Sequence, residues 1–168
     1  TWGDNLTWEL SEVGVLTLSG TGEMDDWKST RKSPWYDDRY QITKVDIKSG
    51  VMSVGNMAFR DCIFLSEIKI PDTVTSIGNY AFDNCESLST IELPESVTEI
   101  GAAAFYCCDG LTEINIPEKV TTIESSTFHA CISLEKIEIP ENVTSIGGRA
   151  FSYCTSLSEI TIPEGVTI

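Results

Sequence analysis

The sequence predicts a solenoid of the α/β class, in which short β-strands dominate, short helical turns alternate with them, and a β-segment precedes the array. Three features predict this fold. A 23-residue unit repeats without insertions five times over residues 51–165. Each unit contains a stretch in which apolar and polar residues alternate, which is typical of a strand with one buried face. Each unit is also too small to bury its apolar side chains alone, so neighbouring units must stack.

The repeat is defined by columns of residues that recur every 23 positions. Five of these columns are apolar in every unit, and we number positions from the valine that begins each unit. The columns at positions 1, 4, 9, 12 and 15 read Val51/Val74/Val97/Val120/Val143, Val54/Ile77/Ile100/Ile123/Ile146, Phe59/Phe82/Phe105/Phe128/Phe151, Cys62/Cys85/Cys108/Cys131/Cys154 and Leu65/Leu88/Leu111/Leu134/Leu157. Residues 166–168 begin a sixth unit, which leads us to expect a longer parent chain.

Each unit is predicted to contain two extended stretches and one helical turn. In the first unit, Ile68 and Ile70 alternate with polar residues and predict a strand, which Pro71 ends because proline cannot donate to a ladder. The Val-Thr-x-Ile sequence that begins each unit predicts a second extended stretch. Glycine at position 5 opens a turn in four of the five units, at Gly55, Gly78, Gly101 and Gly147. The apolar spacing of positions 4, 8, 12 and 15 then predicts a turn or two of helix up to the cysteine.

Residues 1–50 differ from the array in two ways. Ile42, Val45 and Ile47 fall in the columns of Leu65, Ile68 and Ile70, so residues 42–50 form a partial repeat. Residues 1–41 contain two alternating stretches, 6–10 and 16–18, separated by a glycine, which predicts a hairpin. We expect residues 1–41 to be an N-terminal β-hairpin cap, because an uncovered solenoid end exposes strand edges and apolar core.

These columns resemble the BspA-like leucine-rich repeats, for example in the sequence VTSIGNYAFDNCESLSTIELPES at 74–96. The resemblance covers 42–168 and implies a right-handed leucine-rich-repeat solenoid of short strands and short helical turns. It also implies a bacterial or protozoan protein that is secreted or displayed on the cell surface, where such proteins often act as adhesins. The predicted organisation is therefore a cap at 1–41, a partial repeat at 42–50, five full repeats at 51–165 and the start of a sixth at 166–168.

The net charge restricts the partners. The chain carries 26 acidic and 11 basic residues, a formal charge of −15, and residues 51–168 contain 17 acids against 5 bases. Nucleic acid is an unsuitable partner because phosphate binding requires clustered Lys and Arg. Membrane insertion is not expected, since no apolar run approaches the roughly 20 residues needed to span a bilayer. Basic protein patches or divalent cations would be attracted.

The outward side chains of the predicted strands are the leading candidate binding site, because leucine-rich repeats commonly bind ligands on a concave sheet. We call these ten positions the strand face. They are Glu67, Lys69, Thr90, Glu92, Glu113, Asn115, Lys136, Glu138, Glu159 and Thr161. Their varied, mostly acidic character suits a protein ligand with basic spots. A solvated sheet surface that only maintains solubility explains them equally well.

Two other columns contain residues that are able to bind metal. The five column cysteines lie 23 residues apart, unlike the short spacings of metal sites, and we expect buried free thiols. Cys107 has polar residues in its column and is expected nearer the surface, as a reactive thiol or a neutral substitution. The acidic column after each proline, from Asp72 to Glu164, provides one carboxylate per unit. Calcium loops concentrate several, so a solvated column is expected.

The four tryptophans, Trp2, Trp8, Trp27 and Trp35, all lie in the N-terminal segment. Carbohydrate binding by a Trp-rich cap would require exposed ring faces. We expect instead that the rings fill the core of the cap, with Trp27 half exposed.

No enzyme signature is found. The single histidine, His129, occupies a variable column that is expected at the surface, and no nucleophile elbow, zinc motif or phosphate loop is present. The sequence therefore predicts a non-enzymatic extracellular module without cofactor or metal. It binds a protein, such as a host extracellular-matrix protein, through the strand face. The alternatives are a stalk or spacer of a larger surface protein, with end-to-end self-association through the uncapped C-terminal repeat, and carbohydrate binding by the cap.

Overall fold

A computed structural model describes residues 5–167, and these residues form a stack of short coils that is mostly β. The strands of the described residues are β1 (Leu6–Leu10), β2 (Val15–Gly20), β3 (Lys44–Ile47), β4 (Ser53–Val54), β5 (Glu67–Lys69), β6 (Ser76–Ile77), β7 (Thr90–Ile91), β8 (Glu99–Ile100), β9 (Glu113–Ile114), β10 (Thr122–Ile123), β11 (Lys136–Ile137) and β12 (Ser145–Ile146). The one helical element in these residues is a single 3₁₀ turn, Tyr36–Asp38. Trp2 and Ile168 fall outside the described residues.

The strands form two parallel arrays on different sides of each coil. One array contains β2, β3 and β5 in one sheet and β7, β9 and β11 in the next. The other contains β4, β6 and β8, followed by β10 and β12. Pairing joins equivalent repeat positions, so that Thr90 lies beside Glu113 and Glu113 beside Lys136. The 23-residue period of the sequence is therefore the register of the ladder, as predicted.

The hairpin expected before the repeats is present, and its second strand joins the stack. Strand β1 pairs with β2 in antiparallel fashion, and β2 then pairs in parallel with β3. Leu16 and Leu18 lie opposite Val45 and Ile47, and all four side chains are buried. The buried leucines of β2 thus continue the apolar columns of the repeats in the direction of the N-terminus.

The segment between the glycine and the cysteine of each repeat is not helical, contrary to the sequence prediction. The N–H of Cys85 donates to the carbonyl of Phe82 within the same coil, at 3.2 Å. The N–H of Phe82 donates instead to the carbonyl of Ala104 in the next coil, at 2.8 Å. An α-helix would use all these N–H groups along its own axis. Here consecutive turns leave every second N–H pointing to the neighbouring coil, where it extends the ladder.

These turns require two residues per repeat in the left-handed backbone region. Positions 7 and 11 have φ between 53° and 67° in all five repeats, although none of the ten residues is glycine. The residues concerned are Met57, Asp61, Tyr80, Asn84, Ala103, Cys107, Ser126, Ala130, Arg149 and Tyr153. Non-glycine residues adopt this region at a cost of roughly 1–2 kcal/mol each. The stack therefore supports about ten strained residues through the hydrogen bonds between coils.

The core is one continuous column of apolar side chains. Its centre is a file of phenylalanine rings from Phe59 to Phe151, with neighbouring centroids 5.2–5.6 Å apart and planes within 19°. Trp35 stacks on Phe59 at 5.8 Å and so occupies the place of a preceding phenylalanine. Its indole Nε1 donates to the carbonyl of Ala58 at 2.8 Å, which satisfies the buried donor.

Candidate functional site

The strand face forms one surface in the structure, because parallel pairing in register places the same repeat positions side by side. All ten of its side chains belong to exposed residues, while the isoleucine between each pair points into the core. Eight of the ten positions lie on or beside strands β5, β7, β9 and β11. Glu159 and Thr161 lie beyond β11 in a segment without strand pairing, so they continue the surface only in approximate register.

Two acidic residues of the strand face already contact lysines. Glu67 pairs with Lys44 at 2.7 Å, and this hydrogen bond lowers the pKa of the carboxyl group. Glu138 pairs with Lys136 at 2.7 Å, which lowers the pKa of Glu138 and raises that of Lys136. Both pairs are solvent-exposed, and such pairs contribute little to stability. They can therefore exchange for contacts with a binding partner at little cost.

Asn115 has a different role from the other strand-face residues. Its side-chain oxygen accepts from the N–H of Leu93 at 2.9 Å, and its side-chain nitrogen donates to the carbonyl of Leu93 at 2.8 Å. The amide thus completes a backbone ladder between two coils after β7 and β9 have ended. The role of Asn115 as a ligand contact stays a prediction: the residue is exposed, and these two bonds use one donor and one acceptor position of its amide.

A shallow depression of about 460 Å³ lies between the third and fourth repeats on this side of the molecule. Four strand-face residues line it, namely Glu113, Asn115, Lys136 and Glu138. Glu118 and Glu141 of the acidic column border it as well, next to apolar atoms of isoleucine and proline. The depression therefore contains four carboxylates against one lysine, with Glu113 also raising the pKa of that lysine. Glu67, Lys69, Thr90 and Glu92 lie outside it.

The tryptophans do not provide an exposed platform in the described residues. Trp35 is fully buried and Trp27 is 2% exposed, so the expectation that Trp27 is half exposed is wrong. The two rings meet edge to face at 5.2 Å, and Trp8 meets Trp35 in the same way at 6.2 Å. Trp8 is half-buried against the core. These rings fill the space before the first full repeat rather than facing solvent.

The column cysteines are free thiols that bond to the main chain. Each thiol from the second repeat onward donates to the carbonyl of the phenylalanine one coil earlier, at 3.0–3.2 Å. Burial raises the pKa of Cys62 to about 12 and that of Cys85 well above its ordinary value. The column therefore consists of unreactive, protonated thiols. Cys107 is half-buried, and burial followed by nearby carboxylates also raises its pKa.

The structure brings together a cluster that the sequence did not predict. Tyr106 and His129 occupy position 10 of successive repeats and stack with centroids 4.6 Å apart. Tyr153, at position 11 of the last repeat, meets His129 edge to face at 5.2 Å. Arg149 and two serines complete the lining of a depression of about 530 Å³. Positions 7, 10 and 11 become neighbours only because of the left-handed turns. The sequence therefore shows which residues occupy these columns, but it does not show that they form a cluster.

Within residues 5–167, no three His, Cys, Asp or Glu side chains converge in a way that could hold a metal ion. The acidic column is solvent-exposed at each of its five positions. The same described residues contain no helix with the length and apolar character needed to cross a bilayer.

Comparison with known proteins identifies the repeat. The model of the BspA type leucine-rich repeat region matches residues 52–168 in six copies. A leucine-rich repeat protein from Eubacterium ventriosum is 30% identical, with a TM-score of 0.68 over 99% of this chain and 60% of its own. A leucine-rich cell surface protein from Faecalibacterium prausnitzii is 25% identical, with a TM-score of 0.60 over 94% of this chain and 53% of its own.

The leucine-rich repeat protein of T. pallidum, at 22% identity, shares the fold with a TM-score of 0.62 over 92% of this chain and 88% of its own. This chain thus spans little more than half the length of two of these three proteins. The comparison with curated proteins finds no match.

Proposed function

The chain belongs to the BspA-type leucine-rich repeat family, and from that premise we propose that it is a protein-binding module of the bacterial cell surface. The observation that carries the proposal is the acidic depression lined by Glu113, Lys136 and Glu138. Parallel strands hold the backbone beneath these side chains, so this backbone does not need to be ordered on binding. We propose recognition rather than catalysis, because the depression is shallow and its charged side chains belong to exposed residues.

The chemistry of the depression favours a basic protein segment as the partner. Four carboxylates surround a shallow surface that also exposes apolar atoms of isoleucine and proline. A lysine or arginine side chain could place its alkyl stem on those atoms and its charge among the carboxylates. The net charge of −15 would accelerate the approach of such a partner. A host extracellular-matrix protein with a basic surface is one partner of this kind.

Location at the cell surface is supported by the relative from Faecalibacterium prausnitzii, which is described as a cell surface protein. Residues 1–41 are proposed to act as the N-terminal cap of this display module. In this proposal the β1–β2 hairpin pairs with the partial repeat through β3, and the buried Trp35 covers the phenylalanine of the first full repeat, which would otherwise face solvent.

The proposal is tested by surface plasmon resonance against a panel of basic extracellular-matrix and secreted host proteins at two salt concentrations. We expect saturable binding that weakens at the higher salt, because the contacts are between exposed charges. In the variant Glu113→Lys, one carboxylate of the depression becomes a cation and binding should weaken about tenfold or more.

The matched control is Glu86→Lys, which makes the same charge change at an exposed residue outside the depression. Equal loss in both variants would indicate attraction by net charge alone and would contradict a defined site. Glu92→Lys distinguishes the depression from the remainder of the strand face as the binding site, since Glu92 is exposed but does not line the depression. Absence of saturable binding to every basic protein of the panel would remove the proposal.

A further inference from the structure

The cluster of Tyr106, His129 and Tyr153 lies on the side of the last three repeats that contains the left-handed turns, which we call the turn side. Its three aromatic rings form two walls. The rings of Tyr106 and His129 are parallel within 8°, because they occupy the same repeat position one coil apart. The ring of Tyr153 stands at 74° to His129 and its residue is 70% exposed. A parallel stack and a nearly perpendicular ring therefore meet at a corner, which opens into a depression of about 530 Å³. This volume is within the range of small-ligand sites.

The ring stack ends abruptly at the last repeat. Position 10 of that repeat is Ser152, so the column provides no third ring beyond His129. Ser152 and Ser126 line the depression together with Arg149. The lining is thus a combination of ring faces, hydroxyl groups and one cation. A ligand ring could occupy the space that a third aromatic side chain would fill.

Three other arginines of the described residues have polar partners, and Arg39, which has no carboxylate within 4.0 Å, donates to the carbonyl of Tyr36 at 2.8 Å and to the hydroxyl of Tyr40 at 2.9 Å. Arg31 pairs with Asp25 at 2.7 Å and Arg60 with Asp83 at 3.0 Å. For Arg149, no carboxylate of residues 5–167 lies within 4.0 Å. It is one of only three basic residues after Lys69, in a region with a strong excess of acids. A cation without an acidic neighbour, beside ring faces, favours an anionic ligand.

The ring nitrogen Nδ1 of His129 provides an independent observation. It is buried and has no hydrogen-bond partner among the described residues. Buried polar atoms without a partner are uncommon in folded proteins and each calls for an explanation; the Nε atoms of Arg39 and Arg60 share this property. For His129, a ligand hydroxyl that reaches the edge of the ring would provide the partner.

We propose that this depression binds the ring of an acidic sugar, that is, a pyranose carrying a carboxylate. A pyranose presents a face of C–H groups that can pack on the rings of His129 and Tyr153. Its hydroxyl groups match those of Ser126 and Ser152, and its carboxylate matches the guanidinium of Arg149 with bidentate geometry. An apolar aromatic ligand would leave the serines and the arginine without partners, and a simple anion would not use the rings. This site lies on the turn side of the coils and is independent of the strand face.

The single histidine makes the test direct. Because the chain contains one His, its imidazole protons give an isolated signal in a proton NMR spectrum. We expect the His129 signal to shift saturably with glucuronate and to remain unchanged with glucose at the same concentrations. Acetate is the control for an anion without a ring. An unmoved signal with glucuronate, or an equal shift with acetate, would overturn the proposal.

Two variants and a control locate the site. Arg149→Gln removes the cation and should weaken glucuronate binding about tenfold, as expected for loss of a charge-assisted hydrogen bond. Ser152→Tyr extends the ring stack into the depression and should abolish binding while the thermal unfolding midpoint is maintained. Lys119→Gln removes a positive charge outside the lining and should leave binding unchanged. Retained affinity in both Arg149→Gln and Ser152→Tyr would overturn the proposal even if glucuronate binds elsewhere.

Discussion

The thiol of Cys108 donates a hydrogen bond to the carbonyl oxygen of Phe82, one coil earlier, with the sulfur 3.1 Å from the oxygen. The same carbonyl accepts from the backbone N–H of Cys85 in its own coil, at 3.2 Å. The phenylalanine carbonyl thus connects a turn within one coil to the side chain of the next. Cysteine suits this position because it is small, apolar and still able to donate weakly. The column is therefore structural, and its function is to join coils.

This relationship predicts that Cys108→Ala lowers the free energy of unfolding by about 1–2 kcal/mol, through the lost thiol bond and the lost burial of sulfur. The adjacent Cys107→Ala is the matched control, because Cys107 is half-buried and makes no such bond to the preceding phenylalanine. Its effect should stay within about 0.5 kcal/mol. Urea denaturation followed by circular dichroism measures both. Equal losses in the two variants would show that the thiol bond contributes nothing specific.

The left-handed residues of the turns predict a difference between two neighbouring alanines. Ala103 has φ of 54°, whereas Ala104 is not in the left-handed region, and both are at most 2% exposed. Substitution by glycine removes one buried methyl group from each and increases the entropy of the unfolded chain equally. Only Ala103→Gly also relieves backbone strain. We expect Ala104→Gly to be less stable than Ala103→Gly by about 1–2 kcal/mol. Similar midpoints in urea would contradict the strained geometry of the turn.

The sequence predicted the register of this fold better than its local geometry. Every apolar column that it placed inside is buried in the first four repeats except at Ile70, which is partly buried, because period and burial both follow from stacking identical units. The helical turn was wrong because an apolar spacing of 4, 4 and 3 is satisfied equally by consecutive turns that bond to the next coil. Nothing in residues as different as Met57, Tyr80 and Arg149 signals a left-handed position.

For the candidate sites as well, the sequence predicts which residues point outward but not the local geometry that brings them into contact. The strand face could be predicted because outward positions follow from the alternation of a strand. The bidentate pairing of Asn115 with Leu93 could not, since it depends on where the neighbouring strand ends. The corner between His129 and Tyr153 depends on the turn geometry, which brings positions 10 and 11 of adjacent repeats together. The sequence therefore predicts which residues occupy each column, whereas contacts between residues of different columns can be found only when the path of the backbone is known.

The phenylalanine file predicts a gradient of stability along the stack. Phe105 is fully buried between two rings at 5.2 and 5.6 Å, whereas Phe151 is partly exposed and stacks on one ring only. Phe105→Ala should therefore cost about 3–5 kcal/mol, and Phe151→Ala about 1–2 kcal/mol. Thermal unfolding of both variants measures the difference. Equal costs would mean that the last repeat is as well covered as the third.

The pair of carboxylates Asp61 and Asp83 predicts a dependence of stability on pH. Asp83 is 7% exposed, and burial is the main reason that its pKa is raised to about 6. Arg60, at 3.0 Å from Asp83, opposes this shift, and the neighbouring Asp61 adds to it. A carboxyl group with a raised pKa stabilises the fold when protonated. This contribution is complete below the unfolded pKa of about 3.9 and is lost as the pH rises through about 6.

The free energy of unfolding of the wild type, relative to that of Asp83→Asn, should therefore fall by about 1–2 kcal/mol between pH 4 and pH 7, a value reduced for partial solvent screening. Asparagine is neutral throughout, so the carboxylates that do not interact with Asp83 cancel in the comparison, whereas the interaction of Asp83 with Asp61 remains part of the measured difference. Urea denaturation of both proteins at closely spaced pH values gives the difference directly. A difference that rises with pH would show instead that the ion pair with Arg60 outweighs the burial of Asp83.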